Sequence, residues 1–144
     1  MKVQQKDLYH GAAITQLVEH DSFKALNKAD GKYGHYLVNT DRRLMVKLTE
    51  KANDPWQFTF QSDDLDTLRA DIVSGFSTFV VLVCGQSTIC LLEQKDYEAI
   101  IDLNAAGQQW IRVEIPKASM RVRGSAGELK RAIKHNAFPA DVFA

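Results

Sequence analysis

The chain has 144 residues, 45% of them apolar and 25% charged, which is the size and composition of one globular domain with an ordinary core. Lys and Arg number 18, and so do Asp and Glu, which excludes a molecule-wide field that would draw in nucleic acid or a membrane surface. The opening MKVQQKDLYHG lacks the apolar stretch of a secretory signal, and the apolar run 79–84 is too short to span a bilayer. With two cysteines and no such signal, a reducing cytoplasm and no membrane contact are expected.

Residues 1–10 are polar and predict a loose N-terminal segment ahead of one globular domain over 11–144. Residues 12–26 predict a helix, since Ile14, Leu17 and Val18 recur at helical spacing. Asp21-Ser22 is placed to interrupt it and to cap a short second helix from Phe23. Gly31 and Gly34 then punctuate the chain. Strands are predicted at 36–39, 44–49 and 56–60. In the second, Leu44, Val46 and Leu48 share a face; in the third, Trp56, Phe58 and Phe60 do. Asn53-Asp54-Pro55 supplies the turn between them, which reads as an antiparallel meander.

Ser62 is a candidate N-cap, with Asp63 and Asp64 in the first helical turn, where the helix dipole favours negative charge. Leu65, Leu68 and Ile72 form that helix's apolar stripe, and Gly75 is placed to end it. Residues 76–84 form a β-rich apolar run, long enough for a central strand, and 88–92 return as a hairpin partner after Gly85-Gln86-Ser87. A helix over 95–103 and strands at 109–115 and 119–123 complete the chain. The fold class expected is α+β: a single domain with a mainly antiparallel sheet, meander plus hairpin, packed by two or three helices.

The charges are unevenly distributed. From Arg112 to Ala144 there are seven basic residues against three acidic ones, so the last part of the chain is basic and the rest correspondingly acidic. The stretch RVRGSAGELKRAIKH concentrates this excess. Met120 and Val122 face inward on the last strand, which turns Arg121 and Arg123 outward. Glycines before a helix start expose backbone N–H groups to an anion, and Lys130, Arg131 and Lys134 would widen the basic area if 128–135 were helical. GSAG lacks the P-loop spacing. The function this favours is a non-catalytic binding module for an anionic partner, either nucleic acid or an acidic protein. The competing account of the same residues is a solvated surface.

Glu93-Gln94-Lys95, after a strand, resembles the acid-x-Lys pair of PD-(D/E)XK nucleases. That resemblance implies a metal-dependent nuclease, with Glu93 holding a divalent metal and Lys95 positioning water or stabilising charge. The family also places an Asp on the preceding strand, and residues 76–84 contain no acid. A third alternative is a protein-interaction or assembly subunit, since zero net charge and open sheet edges suit self-association. PWQFTF, LVCG and RGSAGEL together resemble stretches of small stand-alone bacterial proteins, without an implied activity.

Other residue groups read as structural. Cys84 and Cys90 flank the hairpin turn as core thiols. His10, His20, His35 and His135 fall in no metal-binding spacing, and neither a metal nor a cofactor is expected. Lys-Tyr-Gly-His-Tyr, residues 32–36, either lines a pocket, stacks on a base, or tucks its rings against the core.

Overall fold

The computed structural model describes residues 1–144. In chain order its elements are helix α1 (Gln5–Val18), strands β1 (Leu26–Lys28), β2 (His35–Val38), β3 (Arg42–Thr49) and β4 (Trp56–Phe60), and helix α2 (Ser62–Val73). Strands β5 (Ser77–Cys84) and β6 (Thr88–Glu93), helix α3 (Gln94–Ile100), strands β7 (Gln109–Glu114), β8 (Arg121–Gly124) and β9 (Gly127–Glu128), and helix α4 (Ala137–Ala140) follow. The protein is an α+β domain built on two mostly antiparallel sheets. No helix is long and apolar enough to cross a membrane.

Strand β5 organises the fold. Every residue from Thr78 to Cys84 is buried, so each face of the strand needs its own covering layer. It lies between β3 and β6 in a five-stranded sheet of order β1-β2-β3-β5-β6. On one face, Leu44, Val46, Phe79, Val81 and Leu91 pack with Tyr9, Ala13 and Leu17 of α1 and with Phe138 and Val142 near the C-terminus. On the other, Met45, Val80, Leu82, Cys90 and Leu92 pack against Leu65 and Leu68 of α2, Tyr97 of α3 and the second sheet. Tyr97 is fully buried, and its hydroxyl shares a 2.5 Å hydrogen bond with Thr78.

The second sheet has order β4-β7-β8-β9. Its inner face is the alternating series Trp56, Phe58, Phe60 and its neighbours Ile111, Val113 and Val122. A meander and a β5–β6 hairpin both exist, but the meander is β1-β2-β3. The predicted third member, 56–60, leaves for the second sheet as β4. This departure lets α2 carry the chain back so that β5 pairs parallel to β3, a pairing that requires a long crossover.

Several boundaries differ from expectation. Residues 5–10 are not loose: α1 starts at Gln5, and Tyr9 and His10 are buried, so the folded unit begins before residue 11. That helix ends at Val18, and no second helix starts at Phe23; the chain turns there and enters β1. Asn39 drives the turn, because its Oδ1 accepts the N–H groups of Lys24 and Ala25 at 2.7 and 3.2 Å. The N-cap of α2 is Gln61, not Ser62. Its N–H donates to Asp64, as the N–H of Gln4 does to Asp7 and that of Glu93 does to Asp96, each 2.9–3.0 Å long. An Asp at the third helical position thus opens all three longer helices. The helices number four, the last being one short turn.

The helical course after GSAG that would have widened the basic area is absent. Gly127–Glu128 is instead the short strand β9, and the chain beyond it is tied back by a bridge between Met120 and Ile133. The glycines serve packing. A Cβ at Gly124 would lie 2.3 Å from the Ile100 carbonyl oxygen and 2.9 Å from that of Trp110, and neither backbone atom can rotate away. Gly124→Ala is therefore expected to cost about 3 kcal/mol, the upper end for overpacking. Gly107→Ala, with nothing within 4 Å of the added carbon, should stay within about 0.5 kcal/mol. Urea unfolding followed by circular dichroism measures both.

Candidate anion-binding face

Alternation along β4, β7 and β8 buries one face of the second sheet and presents the other to solvent. Thr59 pairs with Trp110, Gln57 with Arg112, Arg112 with Arg123, and Arg123 with Glu128, while Arg121 pairs with Glu114. These side chains point away from the core, so three arginines and one tryptophan share a surface with Glu114 and Glu128. Arg112 donates through Nε and Nη2 to Gln57 Oε1 at 3.2 and 2.9 Å, and its guanidinium carbon lies 5.7 Å from the Trp110 ring centre. Both contacts leave donors of the planar fork open. Arg123 Nη2 is 3.9 Å from Glu114, an exposed pair of little energetic weight.

The five expected anion-binding residues divide between two places. Arg121 and Arg123 are on this face. Arg121 is also structural, since its Nη2 donates to the Lys130 carbonyl at 3.0 Å and pins the chain after β9. Lys130 is exposed just beyond that strand. Arg131 turns away, and its Nη2 donates to Asp96 at 2.7 Å. With Lys134, Arg131 lines a separate cleft of about 440 Å³ whose walls include Glu93, Asp96 and Asp141, so its charges are mixed. The GSAG turn forms no anion nest: the N–H groups of Ser125, Ala126 and Leu129 donate to the carbonyls of Trp110, Ile100 and Val122.

Glu93 is the N-cap of α3, and Lys95 Nζ lies 3.6 Å from it. The side chains able to share a metal are elsewhere: Asp30, His35 and Asp71 bring ligand atoms within 4.8 Å of one another. His35 Nε2 is 2.6 Å from Asp71 Oδ2, and Arg43 Nη1 bridges to Asp30 and Asp71 at 3.1 and 3.3 Å. The Arg43 guanidinium already supplies the cation between those two carboxylates.

Asp64 is a second buried acid. Burial works to raise its pKa, but Lys47, the Gln61 N–H and Lys32 together hold it below the ordinary carboxylate range. Lys47 and Lys32 approach it to 2.9 and 3.0 Å. Cys84 and Cys90 are both free and buried; burial pushes the Cys84 thiol up to about 12 and Cys90 well above its usual value. Burial thus disfavours the thiolate at both positions, as in core cysteines.

A groove of about 370 Å³ adjoins the arginine face where β3 and β4 diverge beneath α1. Its walls include Lys6, His10, Tyr33, Lys47, Gln57 and Thr59, and no carboxylate lines it. The His10 and Tyr33 rings lie 4.6 Å apart, and Lys6 Nζ is 4.8 Å from the Tyr33 ring centre. Burial, then the Lys6 charge, holds the His10 imidazole below the ordinary histidine range despite the opposing Asp7. The motif at 32–36 thus divides its rings: Tyr33 is exposed beside the groove, while His35 is buried.

Sequence reasoning missed Trp110 and Arg112 as site residues. The available signal was the alternation of 109–114, which places both opposite Gln57 and Thr59 once β4 and β7 are known to pair. No protein-family model matches the chain, and neither a curated protein nor a solved structure matches it.

Proposed function

We propose that the protein is a non-catalytic binding module whose second sheet receives an anionic partner, nucleic acid or an acidic protein surface. The observation that carries this is the outward row of Arg112, Arg121 and Arg123 on one sheet face, with Trp110 beside Arg112 and with Glu114 and Glu128 as the acids among them. Such a face recognises an anion by charge neutralisation, with arginine forks on oxygens and the indole offering a flat apolar contact. Two features support nucleic acid over an acidic protein: arginine rather than lysine dominates the face, and a stacking ring lies among the charges.

Fluorescence anisotropy with a labelled oligonucleotide and a labelled acidic peptide, over a series of salt concentrations, tests it. Three arginine–phosphate contacts predict a log–log salt slope of about −2 to −3 for the oligonucleotide. Absence of binding to both ligands at low salt would overturn the proposal.

A further inference from the structure

The groove beside the arginine face points to what kind of polyanion fits. We propose that it accepts one nucleotide of a single-stranded nucleic acid, with the base against the Tyr33 ring and the phosphate on Lys6. The proposal rests on the binding module described above and names its partner class.

Four observations converge. First, the groove's volume of about 370 Å³ lies within the range of small-ligand sites, ~300–1,000 Å³. Second, no carboxylate lines it, and of its two lysines Lys47 is paired with Asp64 while Lys6 is left to meet a phosphate. Third, Tyr33 is 60% exposed although it is a large aromatic ring, and Lys6 rests on it by a flexible stem that can move off to meet a phosphate. The His10 ring backs Tyr33, with the two planes tilted by 34°. Fourth, Gln57 and Thr59 line the groove and are also the cross-strand partners of Arg112 and Trp110. A strand leaving Tyr33 therefore passes an amide and a hydroxyl able to read base edges, then reaches a second ring with arginines beside it. Stacking positions linked by cations characterise single-strand binding. A base held in a duplex is already stacked on its neighbours and cannot reach Tyr33. An acidic peptide offers charge but nothing for the two rings to stack on.

The test compares three labelled ligands by anisotropy: an oligothymidylate of about 12 nucleotides, a hairpin duplex with the same number of phosphates, and an oligoglutamate. The wild-type protein should bind the single strand at least tenfold more tightly than the duplex. Tyr33→Ala should weaken single-strand binding by roughly tenfold, the effect of losing one stacked base, and change duplex binding less than twofold. Tyr33→Phe should restore the single-strand affinity, which a general loss of structure would not allow. Equal affinity for strand and duplex, with Tyr33→Ala silent, would overturn the groove while leaving the arginine face standing. Binding of oligoglutamate alone would overturn the groove and leave an acidic protein as the partner of that face. Failure of all three ligands would remove both.

Discussion

Asp71→Ala is expected to remove about 3–5 kcal/mol of folding stability, the usual cost of deleting one partner from a buried ionic network. Asp71 is 5% exposed and projects from α2 onto the five-stranded sheet. It accepts from His35 on β2 at 2.6 Å and from Arg43 on β3 at 3.3 Å. Removing its carboxylate strands a histidine that is 1% exposed and leaves Arg43 with Asp30 as its remaining acid. The network has no slack to absorb this, because His35 Nδ1 and Arg43 Nε are already buried without a hydrogen-bond partner. Against a typical total of ~5–15 kcal/mol, the loss should be plain as a lower urea midpoint. Asp71→Asn keeps an acceptor for His35 and should cost less. Combining Asp71→Ala with His35→Leu should recover part of the loss, since no buried imidazole is then left without its acceptor. A cost below about 1 kcal/mol for Asp71→Ala would show that the network does not hold α2 to the sheet.

The same network positions the groove. His35 is two residues after Tyr33, and Gly34 between them adopts φ +76° with its Cβ position 2.7 Å from the Val46 carbonyl oxygen. Only a glycine admits that approach. The segment is anchored at His35, passes close under β3, and so leaves Tyr33 on the outside. Lys32, on the other side of Tyr33, is held by Asp63 and Asp64 at the start of α2 at 3.3 and 3.0 Å. A short aromatic segment fixed at both ends becomes a presented ring rather than a core contact.

Much of the fold was legible because its elements obey local rules. The strand 56–60 matches the structure at both ends, since five alternating residues between a turn and a helix cap leave no other assignment. The inward Met120 and Val122, with Arg121 and Arg123 outward, follow from the same two-residue period. Pairing partners were not legible. Nothing in the residues 56–60 says that they join 109–114 rather than 44–49, because an aromatic face suits either sheet and the choice is made by packing. The candidate site inherits that blindness. Arg112 becomes part of it only through the β4–β7 register, and His35, Asp71 and Arg43 meet only through the β2–β3 register and the placement of α2. The helical course considered after GSAG is excluded for a different reason. Its charges at 130, 131 and 134 suggested a solvated helical face, but Leu129 and Ile133 are drawn into the core by hydrogen bonds to Val122 and Met120. Tertiary contacts overrode a weak local preference.

Arg112→Glu/Arg123→Glu is expected to lower oligonucleotide affinity on the order of 100-fold at low salt, with two arginine–phosphate contacts removed and two repulsions introduced. The pair is chosen on structural grounds. Arg112 and Arg123 are cross-strand neighbours on the exposed face, and their protein partners, Gln57 and Glu114, lie at the surface. Arg121 is left alone, since its hydrogen bond to the Lys130 carbonyl holds the chain after β9 and its loss would mix folding with binding. The variant should keep a cooperative urea transition and lose no more than about 1 kcal/mol of stability, since the changes are at the surface but Arg123→Glu sets a carboxylate opposite Glu128 and beside Glu114. The salt slope should flatten by about 1.5, since each lost phosphate contact removes ~0.7–0.9 from it. That second readout separates a lost contact from a general change in charge: a distant reversal shifts affinity with salt but does not remove released counterions in proportion. A variant that binds like the wild type, with an unchanged slope, would place the anion site off this sheet, leaving Lys130 and the mixed-charge cleft of Arg131 and Lys134 as the remaining basic surface near the C-terminus.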